Sequence, residues 1–418
     1  MLQKIISHNV ARNSAALFIL QLINMIAPLI VLPYLSRVLG LDGFGLVMFA
    51  LSVCAIALVI TDFGFNLSAT YSISKRREDK SYVNELIGAI FLIKVGFFFL
   101  FLLSITIFTY YKTVDTGGIL LSVYISLNVL FQAFLPTWFF LGIEKMKNVT
   151  VYMFFAKISY VVLVFICISD KSDVELVILL YAMSNLIAVI LSVKSIYSNG
   201  YSIKRPVTIK VKDVFKESVQ FFISRAAVSI YTSASTFLVG AFAGVQQVAI
   251  YGASEKIYQA SKSVTAPIAQ ALFPYMAKTN NTTLLMKIVF VMVIILTIVC
   301  FSVGFWADEI MVLIFGDEFI GAGEILQLFL IITIINFLSV NFGYPAFAGI
   351  GKVHIANYTV VLGAVIHLIL LFSLYVSDGF TALNVVKAVL VTESIVMVLR
   401  LTYFKINYKN GKKNGNIE

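Results

Sequence analysis

The chain has 418 residues, of which 60% are hydrophobic and 12% charged, with a formal net charge of +10 and a mean hydropathy of +0.96. That balance leaves too little polar surface for a soluble protein of this length, and the apolar runs are continuous rather than alternating, which excludes a membrane β-barrel. An all-α polytopic membrane protein is expected, and positive charge of this size is what loops facing anionic lipid require, with no nucleic-acid partner implied.

Twelve apolar runs, each about 20 residues or longer, suffice to cross a bilayer as helices. The first six are Asn13–Leu35, Phe44–Phe65, Asn84–Tyr110, Gly118–Phe140, Thr150–Ser169 and Val174–Tyr197. The second six are Ser218–Ala241, Val248–Tyr275, Leu284–Trp306, Glu324–Tyr344, His354–Val376 and Thr381–Phe404. The opening run is too long for a signal-peptide h-region and lacks a small-residue cleavage pattern, so a retained span is expected. Cys54, Cys167 and Cys300 stand apart in apolar segments without metal-ligand spacing, as buried reduced thiols do.

Loop charge orients the spans. Alternate connections hold Lys75, Arg76, Arg77 and Lys80, then Lys145 and Lys147, then Lys204, Arg205, Lys210, Lys212 and Lys216. Lys278, Lys352 and the tail lysines continue the series, while the opposite connections offer Arg37, Lys112 and Lys171. The basic side is expected to be cytoplasmic, with both termini inside. The division expected is an N-lobe over residues 1–200, a cytoplasmic linker over 201–217, a C-lobe over 218–404 and a basic tail over 405–418.

The two halves echo one another. V-L-G-L-D-G-F-G-L-V from Val38 follows the pattern of F-A-G-V-Q-Q-V-A-I-Y from Phe242, with Gly40 on Gly244. F-L-G-I-E-K, Phe140 to Lys145, resembles F-A-G-I-G-K, Phe347 to Lys352. Six spans repeated once predict two lobes of like orientation, related by a pseudo-two-fold axis along the membrane normal.

Polar side chains inside spans are costly and face protein or water. In the first span Asn13, Gln21 and Asn24 share a face; in the seventh, Arg225, Ser229, Thr232 and Thr236 recur at helical steps. Such hydroxyls also serve as helix–helix glue. The eighth span carries Glu255, Lys256 and Lys262, the first and last seven apart on one face with Gln259 between. Lys94 lies deep in the third span, and His367 deep in the eleventh is either a packed, hydrogen-bonded histidine or an ion-coupling group. Asp62, Glu255 and Glu393 are outnumbered by intramembrane cations, a surplus suited to an anionic substrate such as a pyrophosphate. Asp62, Asn66 and Thr70 line one face where the second helix ends, and a carboxylate there is disfavoured by the helix dipole unless something holds it. No phosphate-binding loop is present, so direct ATP use is not expected.

L-P-Y-L-S-R-V-L-G-L-D-G-F-G from Leu32, D-F-G-F-N-L-S-A-T from Asp62 and P-T-W-F-F-L-G-I-E-K-M-K from Pro136 together resemble the signature blocks of the Wzx O-antigen flippases. These belong to the multidrug/oligosaccharidyl-lipid/polysaccharide exporter superfamily. In the second half the resemblance rests on A-P-I-A-Q-A-L-F-P from Ala266 and on the span layout. It implies a transporter rather than an enzyme: twelve helices in two six-helix lobes, moving an undecaprenyl-pyrophosphate-linked oligosaccharide from the cytoplasmic to the periplasmic leaflet of the inner membrane by alternating access. On that basis Arg225, Lys256 and Lys262, helped by Lys94, are expected to attract the pyrophosphate, and Gln21, Asn24, Ser229 and Thr232 to meet the sugars. Asp62, Asn66, Glu255 and His367 are the candidates for gating or ion coupling. No cofactor is expected beyond coupling to a proton or sodium gradient, and an O-antigen polymerase and chain-length regulator are candidate partner proteins. Capsule or teichoic-acid units as cargo, and multidrug antiport within the same superfamily, remain alternatives at this point. A membrane glycosyltransferase or polymerase is disfavoured by the short far-side loops.

Overall fold

The computed structural model describes the backbone of residues 2–111, 118–208, 211–232 and 234–413, and side chains at 18–110, 118–208, 211–223, 226, 229 and 234–408. Among these the protein is helical throughout, with no strand. Among the described residues, nine stretches are long and apolar enough to span a membrane. The first of them, Phe18–Arg76, is 59 residues, far more than one crossing needs. The expected seventh and eighth spans are not in this set: residue 233, within the seventh, lies outside the described residues, and the eighth holds Glu255, Lys256, Lys262 and many uncharged polar side chains.

The chain divides into two units, Met1–Ser229 and Ile230–Glu418. The first contains α1 (Leu2–Asp62), α2 (Phe65–Arg76), α3 (Lys80–Tyr111), α4 (Gly118–Ala133), α5 (Thr137–Gly142), α6 (Met146–Cys167), α7 (Val174–Ser198) and most of α8 (Val211–Thr232). The second contains α9 (Ala234–Ala243), α10 (Val245–Thr279), α11 (Thr282–Phe305), α12 (Ala307–Phe315), α13 (Gly323–Asn341), α14 (Tyr344–Gly349), α15 (His354–Val376) and α16 (Ala382–Lys413). In unit 1, α4 and α6 pack on α7, α1 on α6, and α2 on α5. In unit 2, α13 and α15 pack on α16, and α10 on α13 and α14.

The echoes in sequence correspond to repeated local structure. Gly40 bends α1 with φ 69 and ψ −178, and Gly244 starts α10 with φ 92 and ψ 172, a backbone region open essentially to glycine alone. Each unit then interrupts one apolar stretch. α4 stops at Ala133 and resumes as α5; α13 stops at Asn341 and resumes as α14. After each short helix the chain takes a left-handed residue, Glu144 with φ 59 and Gly351 with φ 70. The next residue is a lysine whose ammonium reaches an asparagine: Lys145 to Asn199, which caps the C-terminus of α7, and Lys352 to Asn407 on α16 at 2.7 Å.

The segment 201–208, read from sequence as part of an inter-lobe linker, is strapped onto α3 of unit 1. Asn84 Oδ1 accepts from the Ser202 amide at 2.7 Å. Glu85, buried, accepts at one oxygen from the amides of Val207 (3.0 Å) and Thr208 (2.8 Å) and from the Thr208 hydroxyl (2.8 Å). α8 continues on the same unit. Phe215 and Phe222 stack on Phe63 at 4.5 and 4.6 Å, and the Ser218 and Ser68 hydroxyls bond at 2.8 Å.

Candidate functional site

Unit 1 gathers polar groups at two coincident helix breaks. The second span ends as α1 at Asp62, turns through Phe63 (φ 43) and Gly64 (φ 77), and restarts as α2. A side chain at position 64 would strike the α8 backbone at Phe222 N, 2.8 Å away, so glycine is what lets α8 lie against the break. Across it, Asn66 Nδ2 donates to Asp62 Oδ1 at 2.6 Å, and the Thr137 hydroxyl donates to Asn66 Oδ1 at 2.8 Å. Thr70 donates to the Asn66 and Trp138 carbonyls, at 2.8 and 3.1 Å. Thus the carboxylate at a helix's negative end is held by an amide from the next helix, and α2 and α5 are tied together.

Lys94 belongs to this joint. It is 3% exposed, its ammonium donates to the Ala133 carbonyl at 2.6 Å and lies 5.9 Å from the Phe65 ring centre, and Asp62 acts on it electrostatically. Gln21 is half-buried and Asn24 exposed on α1. Deeper between α4 and α7, Asn128 Oδ1 accepts from Gln132 at 2.6 Å and from Asn185 at 3.1 Å.

Unit 2 carries the expected cations Lys256 and Lys262. On α10, buried Glu255 accepts from the Thr236 hydroxyl of α9 at 2.6 Å, with Gln259 also bonded to it and Lys256 and Lys262 acting on its charge. Lys256 and Lys262 are both half-buried; Lys256 reaches Gln259 at 3.4 Å and Lys262 lies 5.0 Å from the Tyr258 ring centre. Lys262 also acts on Glu393 of α16, which is buried and accepts from Asn336 of α13 at 3.2 Å. His367 is fully buried, between the Ser235 hydroxyl on Nε2 (3.0 Å) and the Thr392 hydroxyl on Nδ1 (3.2 Å), the arrangement of a packed, hydrogen-bonded histidine.

Ser229 is half-buried on α8 within unit 1. The side chains of Arg225 and Thr232, both on α8, lie outside the described residues, as does that of Asn13. The structure therefore groups Asp62, Asn66 and Lys94 in one unit, and Glu255, Lys256 and Lys262 in the other. Arg400, which sequence reasoning passed over, is 5% exposed on α16. Its guanidinium bonds the Ser339 and Ala356 carbonyls at 2.7 and 3.2 Å and the Thr359 hydroxyl at 2.9 Å. The available signal was its position seven residues after Glu393, on the same helical face.

A family model described as polysaccharide biosynthesis protein matches residues 10–280, well over half of the chain. This chain belongs to that family. Two relatives carry the name "Putative O-antigen transporter". One, from Shigella dysenteriae, is 29% identical over 407 residues, covering 94% of this chain and all of the relative. The other, from Escherichia coli K12, is 27% identical over 301 residues, 70% of each. Among solved structures, the lipid II flippase MurJ in an inward closed conformation superimposes with a TM-score of 0.68 at 12% identity, over 94% of this chain and 87% of that one. That likeness shows the fold, an all-helical membrane fold as the apolar runs led one to expect, and the names of both relatives describe transporters.

Proposed function

We propose that the protein is an inner-membrane flippase for an undecaprenyl-pyrophosphate-linked O-antigen repeat unit, carrying it from the cytoplasmic to the periplasmic leaflet by alternating access, with both termini in the cytoplasm. A sugar chain on a pyrophosphate cannot cross hydrocarbon unaided, because its polar groups would lose their water without replacement. A transporter must supply a wet, polar path for the headgroup while the polyprenyl tail stays in lipid.

The observation that carries this reading lies on α10 of unit 2. Lys256 and Lys262 remain half-buried rather than sealed, within a family whose relatives are named for O-antigen. The two ammonium groups there provide charge for a pyrophosphate, and Arg225 on α8 of unit 1 is a separate cation expected to attract it. Gln21 and Asn24 on α1 and Ser229 and Thr232 on α8 supply hydrogen-bonding groups for sugars. Glu255 is the counter-charge to both lysines. Asp62 and Glu255 are the carboxylates through which a proton or sodium gradient would act, and polymerase and chain-length regulator are the partner proteins downstream.

The test is complementation of a strain lacking its own O-antigen flippase, read as the lipopolysaccharide ladder with protein abundance measured alongside. Lys256→Ala and Lys262→Ala together are expected to reduce display at least about tenfold at unchanged protein level, as loss of roughly 1.5–3 kcal/mol per charged hydrogen bond implies. Full display by that double variant and by Arg225→Ala would remove the cationic path.

A further inference from the structure

We propose that Lys94 and Arg400 are positioning residues, one in each unit, that act as the missing hydrogen-bond donors for the helix carbonyls exposed where an apolar stretch is interrupted.

Interrupting a helix within a membrane span leaves its last carbonyls without the amides four residues on, and hydrocarbon offers no water in their place. In unit 1 the interruption lies inside the candidate span Gly118–Gly142. The Ala133 carbonyl would normally take the Thr137 amide, but that amide turns to Leu135 O at 3.0 Å, and Pro136 has no N–H to offer. The orphaned carbonyl is the one Lys94 meets. In unit 2 the interruption lies inside the candidate span Gly323–Gly349. The Ser339 carbonyl would take the Gly343 amide, but that amide turns to Val340 O at 3.1 Å. The orphaned carbonyl is the one Arg400 meets, at 2.7 Å.

The two cations come from different helices, α3 in one unit and α16 in the other, so this is not a repeated residue carried over with the repeated fold. The shared feature is the backbone event. Each cation sits at a helix's negative end, where positive charge is favoured. Each is almost fully buried, which suits a fixed donor and not a ligand awaiting a headgroup. Gly343 makes room for the guanidinium: a Cβ there would lie 2.9 Å from an Arg400 nitrogen. In unit 1 the same bond holds α3 to the joint where α2 and α5 are tied, so Lys94 sets the position of both short helices.

The experiment uses the purified full-length protein in detergent and does not depend on what is transported. In a Cys167→Ser background, which removes the exposed native thiol, Lys94→Cys is expected to react with a charged thiol reagent at least about tenfold more slowly than Lys75→Cys, because only a local opening exposes it. Lys94→Met and Arg400→Met are each expected to lower the thermal midpoint by roughly 5 °C, while Arg400→Lys, which keeps a donor, melts between wild type and Arg400→Met. Labelling of Lys94→Cys at the rate of Lys75→Cys, or wild-type midpoints in both methionine variants, overturns the proposal. So does Arg400→Lys melting no higher than Arg400→Met. Failure of the flippase reading would instead appear in the complementation assay with these three measurements intact.

Discussion

Asp62 shows how little a residue's type says about its task until its neighbours are known. One carboxylate oxygen takes the Asn66 amide, and the other is buried without a hydrogen-bond partner among the described residues, while Asp62 acts electrostatically on Lys94. Asp62→Asn removes that charge while keeping the shape, so it leaves the buried ammonium with one fewer counter-charge. The expected outcome is a loss of about 1–3 kcal/mol of stability, measured as thermal midpoint, together with reduced O-antigen display. Normal display at normal abundance would take Asp62 out of the transport cycle. The spacing of Asp62, Asn66 and Thr70 was legible in the sequence. The bond from Thr137, 71 residues further along the chain from Asn66, was not, because no periodicity within one helix points to a donor on another.

Helix boundaries followed from hydropathy where the run was uniformly apolar, as in α6, α7, α11 and α15. They failed where a span is built from two pieces. Phe44–Phe65 and Gly118–Phe140 read as plain crossings, yet the chain breaks at Phe63–Gly64 and at Phe134–Pro136. Gly64 and Pro136 stand at the two breaks, but glycine and proline are also frequent inside unbroken membrane helices, so neither residue by itself tells a break from a crossing. The segment 201–217 is the opposite case: basic and only moderately polar, it reads as a loose connection, yet Glu85 and Asn84 hold its first half against α3. Glu85→Ala deletes the acceptor for two amides and a hydroxyl. Trypsin is then expected to cut after Lys204 several times faster than in wild type, since cleavage follows the population of the opened strap; the Arg205–Pro206 bond resists trypsin in either protein. An unchanged digestion rate would show that the strap does not depend on that carboxylate.

Duplication is visible across the molecule as repeated solutions to the same backbone problems. Gly40 and Gly244 share one conformation that other residues pay about 1–3 kcal/mol to adopt, so Gly40→Ala and Gly244→Ala are expected to destabilise by similar amounts in that range. A midpoint shift confined to one of them would mean that the two bends do different work. The interior pairs have diverged in charge: Asn128 with Asn185 in unit 1 stands 208 residues before Asn336 with Glu393 in unit 2. The amino-acid sequence alone determined the membrane, the helical class, the repeat and the family resemblance, because each of these depends on local hydropathy and short blocks of residues. Only the tertiary structure decided which cations are sealed and which stay open. Lys94 and Lys262 look alike in an apolar run, but whether an ammonium finds an orphaned carbonyl or water depends on where a distant backbone breaks, and that is set by packing between helices.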